Sequence, residues 1–444
     1  MPAEKIAIIG GGSAYVPGVL SALTATGEAL AGSEIALMDI DPVRLPMMTA
    51  IGRRMVAEAE AALTVTSSTR LDEALHDATF VLTNFRPGGL EGLRLDETIP
   101  DRAGVLGQET TGPGGTAFAL RSVPQVLALC RQMETICPDA WLINYTNPTN
   151  FVTDAIRRRS RIRFVSLCDG GGNLHRYTMP ELLGLDRDEV RVRAVGINHH
   201  TWIVELRIGG EDGYPRLREV ARRFAEVPAG ADRRTRFRAF GAWMLDRYGV
   251  WPGNESYLYP YFHYQEALAD FHAGHSLHQL FMHDLPEHWR RFEAMADGSA
   301  PIHLDPSKHH TDVGHGDIAV QVMVATATNT TQEFHVNAPN DGAITNLPHG
   351  AIVECPALVD ASGVRLLCMG ELPKGFVGLT HALLAWQELS VDAALTGDRN
   401  LVVQAILAHP WIDSVAVAER LCDELLAAHA AYLPQFAASS AVGV

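Results

Sequence analysis

The sequence predicts an α/β protein with two parts: a Rossmann-like, doubly wound parallel sheet over residues 1–170 and an α+β domain over residues 171–444. Short apolar runs alternate with helical segments through the first part, and the first run ends in three consecutive glycines. Beyond Gly170 this pattern changes. Strand–helix alternation favours right-handed crossovers and a parallel sheet, and 444 residues accommodate two or three domains.

Six strands with intervening helices fill the N-terminal part. The strands are predicted at residues 5–9, 34–40, 63–66, 79–83, 140–144 and 162–167. Helical spacing of apolar residues begins at residue 17, and an amphipathic helix follows Gly115. In the C-terminal part, residues 190–196 and 203–208 indicate strands of a separate sheet. Further strands are predicted near residues 318–324, 333–337 and 351–356, and helices at 216–248 and from 377 onward.

Composition and charge argue against several classes of protein. Lys and Arg number 36 and Asp and Glu 52, and the resulting net charge of −16 argues against a protein that holds nucleic acid. The six cysteines contain no CxxC pair, which excludes zinc ribbons and dithiol redox motifs. The N-terminus has no signal-type apolar run and the uncharged C-terminal tail carries polar residues, so we expect a cytoplasmic protein without membrane segments.

A glycine-rich loop follows the first predicted strand. Gly10 permits a tight turn there, and Gly12 allows backbone N–H groups to approach a pyrophosphate at the start of the next helix. Tyr15 replaces the third glycine of the usual pattern. Asp39 closes the second predicted strand, where a carboxylate binds a ribose 2′-hydroxyl, so the sequence predicts NAD rather than NADP. The alternatives are a glycine turn of another α/β enzyme and a helix cap or solvated turn at Asp39, with Asp41 competing for its role.

Polar segments follow the other predicted strands at their carboxyl ends, the edge at which open parallel sheets bind ligands. These segments are residues 84–89, 107–115, 144–150, 168–171 and 198–200. Two of them supply Cys168 and His199, a thiolate and an imidazole that suit a borderline divalent ion and leave positions open for substrate oxygens. A small buried thiol and an interior histidine are the alternative interpretation.

Several of these stretches together resemble glycoside hydrolase family 4, the NAD-dependent glycosidases. They are the glycine loop, GVLGQETTGPGG at 104–115, INYTNP at 143–148, the Cys168-Asp169 pair, GINH at 196–199 and NDGAITNLP at 340–348. The resemblance implies a fold similar to that of lactate and malate dehydrogenases, with NAD and a manganese-type divalent ion as cofactors. It also implies a small-molecule glycoside substrate and a homodimer or homotetramer.

The resemblance gives individual residues their expected roles. Cys168 and His199 match the metal ligands. Asp169 matches the general acid, and Tyr257 matches the catalytic base, with Tyr259 and Tyr261 close by as alternatives or as aromatic packing residues. The expected cofactor contacts are Gly10, Gly12, Ser13, Tyr15, Asp39, Asn84, Arg86 and Asn144. The expected substrate contacts are Arg86, Glu109, Asn147, His200 and Lys308.

The chemistry that the resemblance implies begins when NAD⁺ takes a hydride from C3 of the sugar, so that the resulting ketone acidifies the C2 proton. The metal ion polarises the C2 and C3 oxygens, and a deprotonated tyrosine removes the C2 proton. Elimination then expels the aglycone from C1 with Asp169 as proton donor. Water adds at C1 and the hydride returns to C3, so that no net oxidation occurs.

Substrate preference in this family follows the residues after the metal cysteine. CDGG at 168–171 differs from Cys-Asp-Met-Pro of 6-phospho-α-glucosidases, Cys-Asn-Val-Pro of 6-phospho-β-glucosidases and the Cys-His pattern of neutral-sugar members. Asp169 favours an α-glycoside of an anionic glucose-type sugar, 6-phospho or, as in related NAD-dependent sulfoquinovosidases, 6-sulfo. Lys308 and Arg86 are candidate anion contacts. The alternatives are a neutral α-glucosidase or α-galactosidase, a plain NAD-dependent dehydrogenase and an NAD-binding regulator.

Overall fold

A computed structural model describes residues 3–168, 170, 174–228, 230–304 and 316–437, without the side chain of His175. The expected site residues Asp169 and Lys308 lie outside the described residues. Thirteen strands in the described part of the chain belong to one sheet. In chain order they are β1 (Lys5–Ile9), β2 (Glu34–Met38), β3 (Thr64–Ser68), β4 (Phe80–Thr83), β5 (Trp141–Asn144), β6 (Arg163–Ser166), β7 (Val190–Ile197), β8 (His200–Ile208), β9 (Glu211–Asp212), β10 (Trp251–Pro252), β11 (Gln332–Pro339), β12 (Ile352–Asp360) and β13 (Gly363–Leu366).

The sheet begins as a Rossmann-like parallel unit and continues as a mixed sheet. Strands β3-β2-β1-β4-β5-β6 lie side by side and pair in parallel. β11 pairs antiparallel with β6, and the order continues β12-β7-β8-β10, with β13 beside β12 and β9 beside β8. The predicted fold class, a doubly wound N-terminal unit followed by an α+β region, is confirmed.

The prediction of a separate second sheet is wrong. β7 and β8, which were expected to form it, join the N-terminal strands through β12 and β11. Apolar alternation identifies a strand but not its partner, and the edge of β6 carries backbone N–H and C=O groups that β11 satisfies. The boundary between two domains at residue 170 stays a prediction.

Helices pack against this sheet and connect its strands. In chain order they are α1 (Val16–Thr24), α2 (Arg44–Glu58), α3 (Leu71–Leu75), α4 (Gly89–Arg102), α5 (Gly112–Ile136), α6 (Thr149–Arg159), α7 (Met179–Leu183), α8 (Tyr214–Ala221), α9 (Arg233–Tyr248), α10 (Glu255–Leu258), α11 (Tyr264–Asp270), α12 (Leu277–Asp297), α13 (Gly316–Ala327), α14 (Lys374–Thr396), α15 (Arg399–Ala408), α16 (Val415–Ala428) and α17 (Pro434–Ala437). Short 3₁₀ turns occur at Gly27–Leu30, Arg187–Glu189, Arg222–Phe224, Tyr259–Tyr261 and Ala430–Tyr432, and π turns at Leu174–Thr178 and Phe271–His275. Within the described ranges, no helix combines the length and the apolarity that crossing a bilayer requires.

The strand predicted near residues 318–324 is wrong, because this segment belongs to α13. Its valines and isoleucine favoured a strand. The helix is buried on several sides, with Ile318, Val320, Val322 and Met323 all in the core. A helix surrounded by apolar neighbours lacks the polar stripe that reveals helical periodicity, so a short buried helix and a buried strand have the same pattern.

The parallel strands β1, β2, β4 and β5 are buried on both faces. In β1, Ile6 and Ile8 pack into one hydrophobic core while Ala7 and Ile9 pack into another. Successive side chains of a strand point to opposite faces, so the two cores lie on opposite sides of the sheet. This double burial explains why the strands read as unbroken apolar runs, with polar residues only where the strands end.

One row of residues crosses the sheet at the carboxyl ends of β4, β5 and β6. Each member pairs in register with the next: Thr83, Asn144, Ser166, Asn337, Glu354 and Gly196. The row therefore brings segments from both halves of the chain to a single edge. The polar loops predicted to form the site follow directly from this edge.

The hairpin of β7 and β8 places a histidine next to this row. Its two-residue turn is Asn198-His199, and His199 has φ 66, in the left-handed region that histidine enters more readily than most residues. Asn198 donates a hydrogen bond from Nδ2 to Oε2 of Glu354 at 2.9 Å, which ties the turn to β12. The sheet thus determines where the imidazole of His199 lies.

We expect Gly196→Ala to lower the free energy of unfolding by about 2–4 kcal/mol. Gly196 has φ 154, and a Cβ on it would lie 2.1 Å from the backbone oxygen of His200. Urea unfolding followed by tryptophan fluorescence measures the change. The matched control is Gly378→Ala in α14, where a Cβ meets no atom within 4 Å and alanine favours the helix. Equal stability of the two variants would contradict the assignment of Gly196 as a packing constraint.

Candidate active site

The glycine loop after β1 is closed against the two neighbouring strands. Gly10 has φ 95, and a Cβ there would lie 2.1 Å from the backbone oxygen of Asn84. The N–H groups of Gly10 and Gly11 donate to the carbonyl oxygen of Met38 at 2.9 and 2.8 Å. Only residues without a side chain allow the loop to lie this close to β2 and β4.

Asp39 lies beside this loop, directly after β2. Its Oδ2 accepts a hydrogen bond from the N–H of Gly12 at 2.8 Å, and its Oδ1 accepts one from the N–H of Asp41 at 2.9 Å. The first helix begins at Val16, so its N-terminal N–H groups lie next to the loop. Nδ2 of Asn84 is buried without a hydrogen-bond partner among the described residues. A carboxylate, a helix N-terminus and an unsatisfied donor at one strand edge fit a dinucleotide.

The remaining expected cofactor residues of this loop and of β5 are engaged within the protein. Oγ of Ser13 accepts a hydrogen bond from the N–H of Tyr15 at 3.3 Å. Oδ1 of Asn144 accepts a hydrogen bond from the Thr83 hydroxyl at 2.9 Å, and its Nδ2 donates to the backbone oxygen of Thr146 at 3.3 Å. These bonds hold the loops in shape, and the direct contact of Ser13, Tyr15 and Asn144 with a cofactor stays a prediction.

The sheet brings Cys168 and His199 together. Cys168 follows β6, His199 lies in the β7–β8 turn, and the distance from Sγ to Nε2 is 3.4 Å. Both atoms can bind one ion at this separation, since sulfur and nitrogen ligands lie about 2.3 and about 2.1 Å from a zinc-type divalent metal. Within the described residues, no cluster of three or more His, Cys, Asp or Glu side chains is placed to hold a metal. An ion held by these two side chains would keep coordination positions for substrate.

Hydrogen bonds fix the orientation of His199. Its Nδ1 lies 3.0 Å from Oγ1 of Thr110, which lies 3.2 Å from Oε1 of Gln108. Burial lowers the pKa of His199 to about 3, so the ring is neutral. Because the Gln108 oxygen only accepts, Nδ1–H donates to the threonine hydroxyl, which donates onward, and Nε2 faces Cys168 with a lone pair. Metal-bound histidines typically have their other nitrogen held in this way.

Of the three candidate tyrosines, Tyr257 lies at this pair. Its ring stacks on that of His199 with centroids 3.9 Å apart. Burial raises the pKa of Tyr257 well above its usual value, and the negative charge of the neighbouring Glu109 raises it further. Tyr257 therefore carries its proton in the structure as described.

Tyr259 and Tyr261 have different surroundings. Tyr259 is buried against Phe240, with ring centroids 5.6 Å apart. Tyr261 lies edge-on to His200, with centroids 4.8 Å apart. Tyr257 thus lies beside His199, Tyr259 is a packing residue, and Tyr261 lies beside His200.

Arg86 and Glu109 form an ion pair between the loop after β4 and the loop before α5. Nη1 of Arg86 lies 2.5 Å from Oε2 of Glu109, and the guanidinium lies over the ring of Phe118, 4.7 Å from its centroid. Glu109 balances the charge of Arg86. The pair therefore offers hydrogen-bond donors and acceptors with little net charge.

Asn147 and His200 complete the expected substrate contacts in the described part of the chain. Oδ1 of Asn147 accepts hydrogen bonds from the N–H and hydroxyl of Thr149 at 3.2 and 2.9 Å, which fixes its amide. Nδ1 of His200 donates to the backbone oxygen of Asn198 at 3.2 Å. Burial lowers the pKa of His200 to about 4, and its Nε2 has no hydrogen-bond partner among the described residues. This nitrogen is an acceptor for a ligand hydroxyl.

Sequence reasoning missed the residues that surround His199. Gln108, Thr110 and Thr111 belong to the GQETTGPGG stretch, from which only Glu109 was chosen. The run of polar residues with a following helix was the available signal. His409 lies far along the chain and has no sequence signal, although it reaches the same loop through Thr111 at 3.1 Å.

Comparison with known families agrees with this geometry. The family model described as "Family 4 glycosyl hydrolase" matches residues 5–177, and the model "Family 4 glycosyl hydrolase C-terminal domain" matches residues 194–412. This chain belongs to glycosyl hydrolase family 4. The predicted family and the predicted class of enzyme, a glycosidase, are confirmed.

Known relatives of this family 4 member align along nearly its whole length. A probable 6-phospho-beta-glucosidase of Bacillus subtilis (strain 168) is 31% identical over 441 residues, covering 97% of this chain and 98% of the relative. An alpha-galactosidase of the same strain is 30% identical over 455 residues, covering 98% and 100%. A 6-phospho-alpha-glucosidase from gut microorganisms, solved in complex with NAD and Mn²⁺, is 25% identical with a TM-score of 0.87, covering 98% and 100%. That structure contains the predicted cofactors.

We expect iodoacetamide at pH 8 to label Cys368 and, more slowly, Cys168 in the native protein. None of the six cysteines forms a disulfide; Cys368 is exposed and Cys168 is half-buried. Burial raises the pKa of each of the other four thiols to about 11 or about 12, which leaves little reactive thiolate: Cys130, Cys137, Cys355 and Cys422. Peptide mass mapping measures the labelling, with urea-unfolded protein as the control that labels all six. Rapid native labelling of the four buried thiols would contradict this packing.

Proposed function

We propose that this family 4 member is a glycosidase that uses NAD⁺ and Mn²⁺ to cleave a 6-phosphorylated α-glucoside. The observation that carries the proposal is the Cys168–His199 pair, with Sγ and Nε2 3.4 Å apart and the imidazole oriented by Thr110. It lies at the sheet edge from which the glycine loop and Asp39 also extend. The solved relative that contains both NAD and Mn²⁺ supports the same cofactors for this chain.

The two groups supply reactivity that side chains lack: a hydride acceptor for C3 of the sugar and a Lewis acid for its oxygens. The chain positions the reacting atoms. Cys168 and His199 hold the ion, and Asp39 binds the adenosine ribose. Arg86 and Glu109, paired at 2.5 Å, orient sugar hydroxyls through one donor group and one acceptor group.

Proton transfer falls to two residues of the chain. Tyr257 stacks on His199, so its phenol oxygen would lie near a sugar bound at this pair, where it would accept the C2 proton. Binding of a cation at Cys168 and His199 favours the phenolate, which offsets the effect of burial. Asp169 stays the predicted proton donor to the leaving group.

The 6-phospho substrate rests on the relatives and on Asp169. The two phospho-glucosidases among the relatives above act, by their names, on 6-phosphorylated glucosides, and Asp169 favours the α-anomer. A 6-sulfonate is the nearest alternative, since Arg binds either anion. The alpha-galactosidase relative and the balanced charge of Arg86 and Glu109 favour a neutral sugar as the second alternative.

A panel of 4-nitrophenyl glycosides tests the proposed activity. It contains 6-phospho-α-glucoside, 6-phospho-β-glucoside, α-sulfoquinovoside, α-glucoside and α-galactoside, each with and without NAD⁺ and Mn²⁺. We expect fastest release of 4-nitrophenol from the 6-phospho-α-glucoside, only with both cofactors and without accumulation of NADH. His199→Gln should abolish this release, while the exposed control His349→Gln should retain it. Stoichiometric NADH would identify a dehydrogenase, and cleavage without NAD⁺ would refute the proposal.

We expect Tyr257→Phe to reduce turnover by about 10²–10⁴-fold, the usual effect of removing a general base. The variant should also lose exchange of the substrate C2 hydrogen with deuterium in D₂O, measured by mass spectrometry of recovered sugar. Tyr259→Phe is the matched control, since that ring packs against Phe240 rather than on His199. Wild-type exchange by Tyr257→Phe would remove this residue from the proton transfer.

The predicted homodimer or homotetramer and the predicted cytoplasmic location stay predictions.

A further inference from the structure

Three side chains from distant segments form a closed hydrogen-bonded triad next to the site. Oγ1 of Thr111 lies 2.7 Å from the Tyr261 hydroxyl and 3.1 Å from Nε2 of His409, and the Tyr261 hydroxyl lies 3.0 Å from the same Nε2. Thr111 and His409 are buried, and Tyr261 is half-buried. The triad joins the loop before α5, the short helical turn at 259–261 and the end of α15.

The protons of this triad can be assigned from its surroundings. Nδ1 of His409 accepts a hydrogen bond from the backbone N–H of Trp411 at 3.3 Å. Burial lowers the pKa of His409 well below its usual value, so the ring is neutral and its single proton lies on Nε2. Nε2–H therefore donates to the two hydroxyl oxygens, which hydrogen-bond each other. The imidazole acts as a fixed donor.

The Thr111 side chain takes part in this triad instead of capping a helix. It is the N-cap residue of α5, a position where a threonine side chain usually accepts a hydrogen bond from the helix backbone. Its side chain makes no such bond. The next residue, Gly112, has φ 64, and a Cβ there would lie 3.0 Å from the ring of Trp411. The loop is thus fitted against the segment that carries His409.

The triad is connected to His199 through one residue. The backbone N–H groups of Thr110 and Thr111 both donate to Oε1 of Gln108, at 2.6 and 2.8 Å, which locks the two threonines together. Thr110 in turn holds Nδ1 of His199 at 3.0 Å. A shift of Thr111 would therefore move the hydroxyl that orients the imidazole.

We propose that Thr111, Tyr261 and His409 are positioning residues that hold Thr110 against His199 and thereby set the affinity of the Cys168–His199 pair for a divalent cation. The inference rests on the proposed function, because it takes this pair as the metal site. None of the three residues binds the ion itself. Hydrogen-bond partners of metal ligands typically change metal affinity 10–100-fold when they are lost.

The experiment measures Mn²⁺ binding rather than turnover. The full-length protein, saturated with NAD⁺, is titrated with Mn²⁺, and free Mn²⁺ is followed by its electron paramagnetic resonance signal. We expect Tyr261→Phe and Thr111→Val to raise the Mn²⁺ dissociation constant about tenfold. Thr111→Ser, which keeps the hydroxyl, should restore wild-type affinity. NAD⁺ affinity and the midpoint of thermal unfolding should change little, since the triad acts on a single metal-binding residue, His199.

Tyr214→Phe is the matched control. The Tyr214 hydroxyl donates to the backbone oxygen of Ile203 at 2.6 Å, so this variant loses a tyrosine hydrogen bond to the β-hairpin that carries His199. It should bind Mn²⁺ as the wild type does. An equal loss in Tyr214→Phe and Tyr261→Phe would reduce the triad to general packing and overturn the inference.

A double-mutant cycle tests the route through Thr110. If Tyr261 acts through Thr110, Thr110→Val with Tyr261→Phe should bind Mn²⁺ no more weakly than Thr110→Val alone. Additive losses would overturn the inference. A wild-type protein that binds no Mn²⁺ would instead refute the metal site of the proposed function, whereas tight wild-type binding with an unaffected Tyr261→Phe would refute the triad alone.

Discussion

A hydrogen bond from one nitrogen of a buried imidazole decides what its other nitrogen can do. The Thr110 hydroxyl accepts a hydrogen bond from Nδ1–H of His199. The neutral ring therefore directs the lone pair of its Nε2 at Cys168. A charged imidazole would be strongly disfavoured at this depth, and an unheld one would choose between two tautomers. The loop before α5 is therefore as much a part of the site as the residues that would contact an ion.

The surrounding structure serves this bond. A continuous row of register pairs carries the ends of β4, β5 and β6 to the β7–β8 hairpin, so that Cys168 and His199 meet across strands from different halves of the chain. The hairpin turn holds His199 in the left-handed region, and Glu354 ties Asn198 to the next strand. The left-handed backbone of His199, the Glu354 carboxylate and the Thr110 hydroxyl each restrict the position or the orientation of the imidazole.

Strands and site residues that depend on a local sequence pattern could be predicted, whereas features that depend on contacts between distant residues could not. Strands β1, β2, β4 and β5 were predictable because burial on both faces gives apolar runs, and Cys168 and His199 because ligands gather where such strands end. The pairing of β11 with β6 and the helical state of α13 were not, since both are decided by neighbours far along the chain. His409 belongs to the same class: nothing near it in sequence indicates that Thr111 lies against it.

The unbroken sheet has a mechanical consequence. The β6–β11 and β12–β7 pairings link β6 to the β7–β8 hairpin, so separating the groups that these elements contribute would require breaking sheet hydrogen bonds. Small molecules would then enter and leave the site through the loops at the strand ends.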